Sequence, residues 1–295
     1  MNEYENILAG VTKLGKTIDQ VKAGIIIGSR ARIECPADEY SDIDIILLVD
    51  DIDFFIQTDE WLDGLGEYHI SFSEYTVANG KERRVFFDNA MDVDFLFLKA
   101  SDIDRIEKDE NFKEIISRAY RVLFDKISFS NVLNRMALSP DPHLLLPESD
   151  FENIVGNFWF HSIWAAKKVL RGELWVAKSC VDGYMKNLLL QMIELYSHAV
   201  NSSNYDTWHC GRFIEQWAEP WIVEKFPDIY AGYSVNDTLR ALSETMDLFR
   251  KLAVDTAERL NYSYPHEADI YAEKFLRRIK QGKLYECWTC ETEDK

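Results

Sequence analysis

Gly24-Ile25-Ile26-Ile27-Gly28-Ser29-Arg30 and Ser41-Asp42-Ile43-Asp44-Ile45-Ile46-Leu47-Leu48-Val49 decide how this chain is read. Lys22-Ala23-Gly24-Ile25-Ile26-Ile27, ending in three isoleucines and stopped by Gly28, predicts a short buried strand. Ile43 to Val49 predicts a second strand, closed by Asp50-Asp51. Successive strand side chains point to opposite faces, so Asp42 and Asp44 point the same way. Two carboxylates side by side repel each other unless a cation lies between them, and they suit a hard, oxygen-loving ion such as Mg²⁺. Asp94 is a third acid in an otherwise apolar strand pattern, Val93-Asp94-Phe95, and a neighbouring strand would bring it to the same spot. The Gly28-Ser29 turn lets backbone N–H groups approach a phosphate, and a helix starting there would add its positive end. Together these residues predict an in-line displacement at phosphorus clamped by metal ions, with Asp94 holding metal or accepting the proton of the attacking hydroxyl.

The order of these features carries the argument, because the acid pair alone does not. Ser101-Asp102-Ile103-Asp104 repeats the letters of Ser41 to Asp44, and Asp51 and Asp53 form a further pair. The repeat follows Lys99-Ala100 rather than a Gly-Ser turn and runs into Arg105-Ile106-Glu107-Lys108, which predicts a helix cap.

Outward from this centre, a helix is expected from Tyr4 to Val21 and another from Phe54 to Leu65. A third strand is expected at Val85 to Asp88 or at Met91 to Leu98, or at both as a hairpin turning at Asp88-Asn89. The result is a small mixed sheet with flanking helices. Pro140, Pro142 and Pro147 mark a linker. The expected organisation is a nucleotide-handling domain at 1–138, a linker at 139–149 and an all-helical, substrate-binding bundle at 150–295, an α+β chain overall. Within the bundle, Ser149-Asp150-Phe151-Glu152 reads as a capping box for a helix through Trp159, Ile163, Ala166 and Leu170. Gly172 interrupts, and a helix from Glu173 to Ala199 follows. Ser234 to Asp237 caps a third helix to Leu260, and a fourth runs from Pro265 to Gln281-Gly282. Trp159, Trp164 and Trp175 are expected in core or interface positions.

Composition narrows the function. The 295 residues are 47% hydrophobic and 28% charged, with 33 Lys+Arg against 51 Asp+Glu, a net charge of −18. Such a chain is repelled by phosphate backbones and anionic membranes and attracts cationic small molecules. Nucleic-acid and membrane partners therefore recede. Residues 1–130 alone hold 15 basic and 27 acidic side chains. No apolar run approaches the roughly 20 residues of a membrane span. The opening residues carry neither a basic segment nor an apolar one, so a cytoplasmic location is expected. Five cysteines are expected as reduced thiols, including Cys287-Trp288-Thr289-Cys290, which follows a helix instead of opening one. The sequence leaves the oligomeric state open.

Gly28-Ser29-Arg30 with Asp42-Ile43-Asp44 resembles the signature of the DNA polymerase β-like nucleotidyltransferases. Within that superfamily the chain is most similar to the bacterial aminoglycoside 6-adenylyltransferases, the streptomycin adenylyltransferases. The likeness extends through Asp38-Glu39-Tyr40, Phe54-Ile56, Trp61-Leu62, Phe158-Trp159, Ala166-Lys167, Arg212-Phe213-Ile214 and Ala257-Glu258-Arg259-Leu260-Asn261-Tyr262-Ser263-Tyr264-Pro265. The resemblance implies Mg²⁺-dependent transfer of AMP from ATP to a hydroxyl of a cationic aminoglycoside, with release of pyrophosphate. It implies metal binding by Asp42, Asp44 and Asp94, a phosphate cradle at Gly28 and Ser29, and nucleotide contacts from Arg30 and Lys167. Asn157 stands where the family's glutamate is expected and Ser179 where an aspartate is expected, with Asp182 about one turn on. Glu173, Asp182 and Glu194 are the acids left to face a cation. Transfer to another small molecule or to a protein is the alternative reading. A non-catalytic nucleotide sensor is a further one, although a pure binder has no need of three carboxylates.

Overall fold

A computed structural model describes residues 3–33, 36–76, 80–137 and 146–282. Cys35, the Cys287/Cys290 pair and most of the expected linker at 139–149 lie outside these residues. The chain divides into two compact units, Met1–Asp141 and Pro142–Lys295.

The N-terminal unit opens with helix α1 (Glu3–Thr17), shorter at its end than expected because the chain turns into β1 (Val21–Ile27). After a single 3₁₀ turn at Gly28–Arg30 come β2 (Ile43–Val49), α2 (Ile52–Gln57), β3 (Tyr68–Tyr75), β4 (Lys81–Phe87) and β5 (Met91–Lys99). Then follow α3 (Ile103–Ile106), α4 (Glu110–Arg118), β6 (Arg121–Asp125) and α5 (Phe129–Ala137). Among the described residues the strands form one six-stranded sheet, ordered β3-β4-β5-β2-β1-β6. The central pair β2–β5 is parallel and the other four pairings are antiparallel. The expected β4–β5 hairpin is present, turning at Asp88–Ala90. The helix expected from Phe54 to Leu65 ends instead at Gln57, and the Trp61 indole N–H donates back to the carbonyls of Phe55 and Thr58. Ser101 does not cap α3: its hydroxyl donates to Asp102, and no side chain caps that helix.

Alternation along β2 and β5 sorts their side chains onto two faces. Ile43, Ile45, Leu47, Val93, Phe95 and Phe97 pack with α1 and α2 residues such as Val11 and Phe55. On the opposite face, Ile25, Ile46 and Leu48 pack against Ile106, Ile116, Phe129 and Leu133 of α3, α4 and α5. Asp44 belongs to that second face, one side-chain layer before Ile46. The apolar cover therefore reaches Ile46, and the layer before it carries carboxylates.

The C-terminal unit is helical throughout its described secondary structure. It comprises α6 (Glu148–Leu170), α7 (Leu174–Ser179), α8 (Met185–Val200), α9 (Ile214–Trp217), α10 (Pro220–Val223), α11 (Phe226–Ile229), α12 (Val235–Leu260) and α13 (His266–Lys280). Its core stacks Phe158 on Phe249 at 3.6 Å between ring centroids. The long helix expected from Glu173 is split by a π turn at Cys180–Tyr184. The expected capping box does not form. α6 starts two residues earlier, behind Pro147, and the Glu148 carboxylate accepts from the Ser263 N–H. Ser234 does cap α12, accepting from the Asp237 N–H. Trp159 is buried as expected, but Trp175 is 72% exposed. No described helix is long and apolar enough to cross a membrane.

Candidate active site

The site is built on the parallel pair β2–β5. Their register places Asp44 directly beside Asp94, with Ile27 of β1 on the far side of Asp44. Adjacent strands lie about 4.8 Å apart, so these two carboxylates share one layer of one face without any loop to position them. Asp42, two residues before Asp44, lies in the next layer toward the β2 entry. Asp92 stands in the same relation to Asp94 on β5. The field of Asp42 helps to raise the Asp92 pKa, after burial, so the acids of the two strands sense each other.

Gly28 closes the β1 side. Its φ of +68° is in the left-handed region, which a residue without Cβ enters freely. A Cβ built there would collide with the Asp44 carboxylate oxygen Oδ2. The expected helix dipole at this turn is not found, because Gly28–Arg30 is one 3₁₀ turn. Ser29 Oγ is buried and finds no hydrogen-bond partner among the described residues. The Arg30 guanidinium donates to the backbone carbonyls of Asp38, Ser41 and Asp42 and lies over the Tyr4 ring, 4.6 Å from its centroid. Arg30 thus fastens the segment that carries Asp42 to the Gly-Ser turn.

On the β4 side the sequence reading missed a second group of charges. Arg84 is the cross-strand partner of Asp94, and its Nη2 stands 3.5 Å from Asp94 Oδ2. Its Nε is 2.6 Å from Glu82 and 2.7 Å from Glu74. Burial pushes the Asp94 carboxyl up to about 7. Arg84 opposes that shift, and Asp92, Glu82 and Asp44 add to it. Asp94 Oδ1 is buried with no hydrogen-bond donor among the described residues. An anion packed among anions, with one oxygen unanswered, lacks positive charge.

The donor set consists entirely of oxygens, which suits a hard divalent cation. As the side chains lie, no three acidic, imidazole or thiol groups among the described residues converge on one point that could hold an ion. Asp44 and Asp94 are already register neighbours, so drawing them together needs side-chain rotation rather than backbone movement. The orphaned Asp94 Oδ1 and the orphaned Ser29 Oγ, beside an Asp44 carboxylate packed against Gly28, fit a bound cation and its anionic ligand. The carboxylates stand on a sheet face. A concavity of about 250 Å³ lined by residues such as Asp51, Asp53 and Lys81, and another lined by Glu3, Ile7 and Phe87, do not include them.

In the C-terminal unit, Lys167 is exposed on α6. Asn157 is hydrogen-bonded to the Tyr184 hydroxyl. Two of the acids expected to face a cation already have partners: Glu173 pairs with Lys168 and Arg171, and Asp182 with Lys178. Burial pushes the Glu194 carboxyl up to about 7.

Comparison with known proteins adds an independent line. A sequence profile of the streptomycin adenylyltransferase family matches residues 1–279. An aminoglycoside 6-adenylyltransferase of Campylobacter jejuni is 25% identical over 298 aligned positions, covering 97% of this chain and 98% of that protein. An aminoglycoside 6-adenylyltransferase of Staphylococcus aureus is 22% identical, covering 94% of this chain and 98% of that protein. The crystal structure of an aminoglycoside 6-adenyltransferase from Bacillus subtilis superposes with a TM-score of 0.45 at 18% identity, covering 95% of this chain and 99% of that one.

Proposed function

This chain belongs to the streptomycin adenylyltransferase family, a family of nucleotidyltransferases, and from that premise we propose that it transfers AMP from ATP to a hydroxyl of an aminoglycoside such as streptomycin. The carrying observation is the Asp44–Asp94 register pair packed against Gly28. Asp42, Asp44 and Asp94 would hold Mg²⁺. When bound, the ion polarises the phosphoryl oxygens and neutralises the charge of the leaving pyrophosphate. Asp44 and Asp42 orient through the strand entry that Arg30 fastens. Gly28 gives a phosphate close access to the backbone, and Ser29 Oγ is free to donate to a phosphate oxygen. Asp94 would hold the ion or, through the Oδ1 that has no hydrogen-bond partner among the described residues, accept the proton of the attacking hydroxyl. Lys167 would contribute positive charge to the triphosphate. The excess of acid on this face and the net charge of −18 favour a cationic acceptor over a nucleic-acid one.

Incubating the protein with ATP, Mg²⁺ and an antibiotic panel and weighing the products tests this reading. An AMP-sized gain on streptomycin is expected. A gain confined to a protein, or none with any aminoglycoside, would refute the acceptor.

A further inference from the structure

We infer that Arg84 is a positioning residue for this reaction: tethered by Glu74 and Glu82, it holds the Asp94 carboxylate toward β4 and supplies part of the positive charge that the site otherwise takes from its ion. The inference rests on the reading of Asp94 as an ion ligand.

Three observations carry it. First, the sheet register fixes the contact. Phe72, Arg84, Asp94 and Asp44 form one continuous row across β3, β4, β5 and β2, so the guanidinium faces the carboxylate by backbone placement. Second, the guanidinium is shared unequally. The short contacts, 2.6 and 2.7 Å, go to Glu82 and Glu74, while Asp94 Oδ2 is met at 3.5 Å. The last distance is an ion pair beyond ordinary hydrogen-bond length. Glu74 and Glu82 are themselves cross-strand partners, and like charges placed opposite each other are unfavourable unless a cation stands between them. Third, Arg84 leaves the other oxygen alone: Asp94 Oδ1 is buried and unanswered among the described residues. The carboxylate is thus held from one side and available from the other.

A guanidinium in this place has two opposed effects on a divalent ion. It aims the ligand, and its like charge repels the ion. Arg84→Met removes the repulsion and also strips Glu74 and Glu82 of their partner, so the face becomes more negative. An ordinary half-exposed ion pair would instead contribute little, and its loss would change neither property.

Titration of the purified full-length chain with Mn²⁺, followed by electron paramagnetic resonance, separates these outcomes when read beside kcat and KM. R84M is expected to bind Mn²⁺ roughly tenfold tighter, with kcat lowered about tenfold or more and the KM for nucleotide nearly unchanged. R84K is expected to bind Mn²⁺ as the unaltered chain does and to recover most of the turnover. Unchanged or weaker Mn²⁺ binding in R84M, or unchanged kcat, overturns the inference. Asp94→Asn serves as the control for the underlying reading. If it binds Mn²⁺ like the unaltered chain, the ion-ligand assignment itself fails. If it loses the ion while R84M behaves as the unaltered chain does, only the role of Arg84 fails.

Discussion

The Asp44 carboxylate occupies the space that any side chain at residue 28 would need, so the turn glycine and the strand acid are one structural unit. β1 brings Gly28 to this place by ending opposite Asp44 at Ile27. The left-handed φ of Gly28 then turns the chain past the carboxylate rather than over it. Gly28→Ala is therefore expected to fail on two counts, backbone strain and collision. A loss of about 1–3 kcal/mol of stability is expected, read as a lower denaturant midpoint, together with loss of adenylyl transfer. An alanine variant with the stability and turnover of the unaltered chain would show that the contact is dispensable.

Asp44→Asn and Asp94→Asn keep shape and remove charge. Each is expected to retain the circular dichroism of the unaltered chain. Relieving repulsion on a crowded acidic face should raise the melting temperature slightly. Adenylyl transfer is expected to fall by ~10²–10⁴-fold in Asp94→Asn, the range for losing a positioned proton acceptor. Full turnover in either variant would remove that residue from the mechanism.

The β2 strand was legible because it is buried on both faces, which makes Ile43 to Val49 an apolar run broken only by Asp44. The β4–β5 hairpin was legible from its turn chemistry, with Asn89 in the left-handed region. β3 was missed although Tyr68, Ile70 and Phe72 alternate with His69, Ser71 and Ser73: it is an edge strand whose apolar members, Ile70 and Phe72, are exposed and belong to no core. Among the site residues, Asp92 was accessible by the reasoning already used for Asp42 and Asp44: Asp92-Val93-Asp94 has the same period of two. Arg84, Glu82 and Glu74 were not accessible, because only the β4 register places them beside Asp94. The π turn at Cys180–Tyr184 was hidden for a different reason. Helical periodicity continues on both sides of it, and the sole hint is Lys186 on an otherwise apolar face.

Asp269 anchors α13 to α12. Its carboxylate accepts from Arg250 Nε and Nη2 and from the Tyr264 hydroxyl, and its side chain is only 8% exposed. Removing Asp269 leaves Arg250 with Asp247 at 2.6 Å and Glu273 at 3.7 Å but takes away the acceptor of three of its hydrogen bonds and of the Tyr264 hydroxyl. Asp269→Ala is expected to cost about 1–3 kcal/mol, measured by urea denaturation. Adding Arg250→Met to it should restore part of the loss, giving a clear coupling energy in a double-mutant cycle. Purely additive effects would contradict the pairing.

Lys186 gives a pH-dependent test of the π turn. Its ammonium is buried, donating to the Val181 carbonyl within the turn at 2.8 Å and to Thr245 Oγ1 at 2.9 Å. Burial pulls its pKa down to about 8, with Lys178 adding to the shift and Asp182 and Cys180 opposing it. Below pH 8 both the folded and unfolded chains carry this proton, and the folded chain bears the full cost of a buried charge. Between pH 8 and the ordinary lysine range near 10.4, the unfolded chain still holds the proton that the folded chain has lost. Stability contributed by this group therefore rises with pH across that window, by about 3 kcal/mol in total. The general repulsion of an acidic protein at high pH runs the other way, so the comparison must be made against Lys186→Met, which shares that background. The stability of the unaltered chain minus that of Lys186→Met is expected to climb from pH 8 to pH 10. A flat difference would mean that the two hydrogen bonds fully compensate the burial.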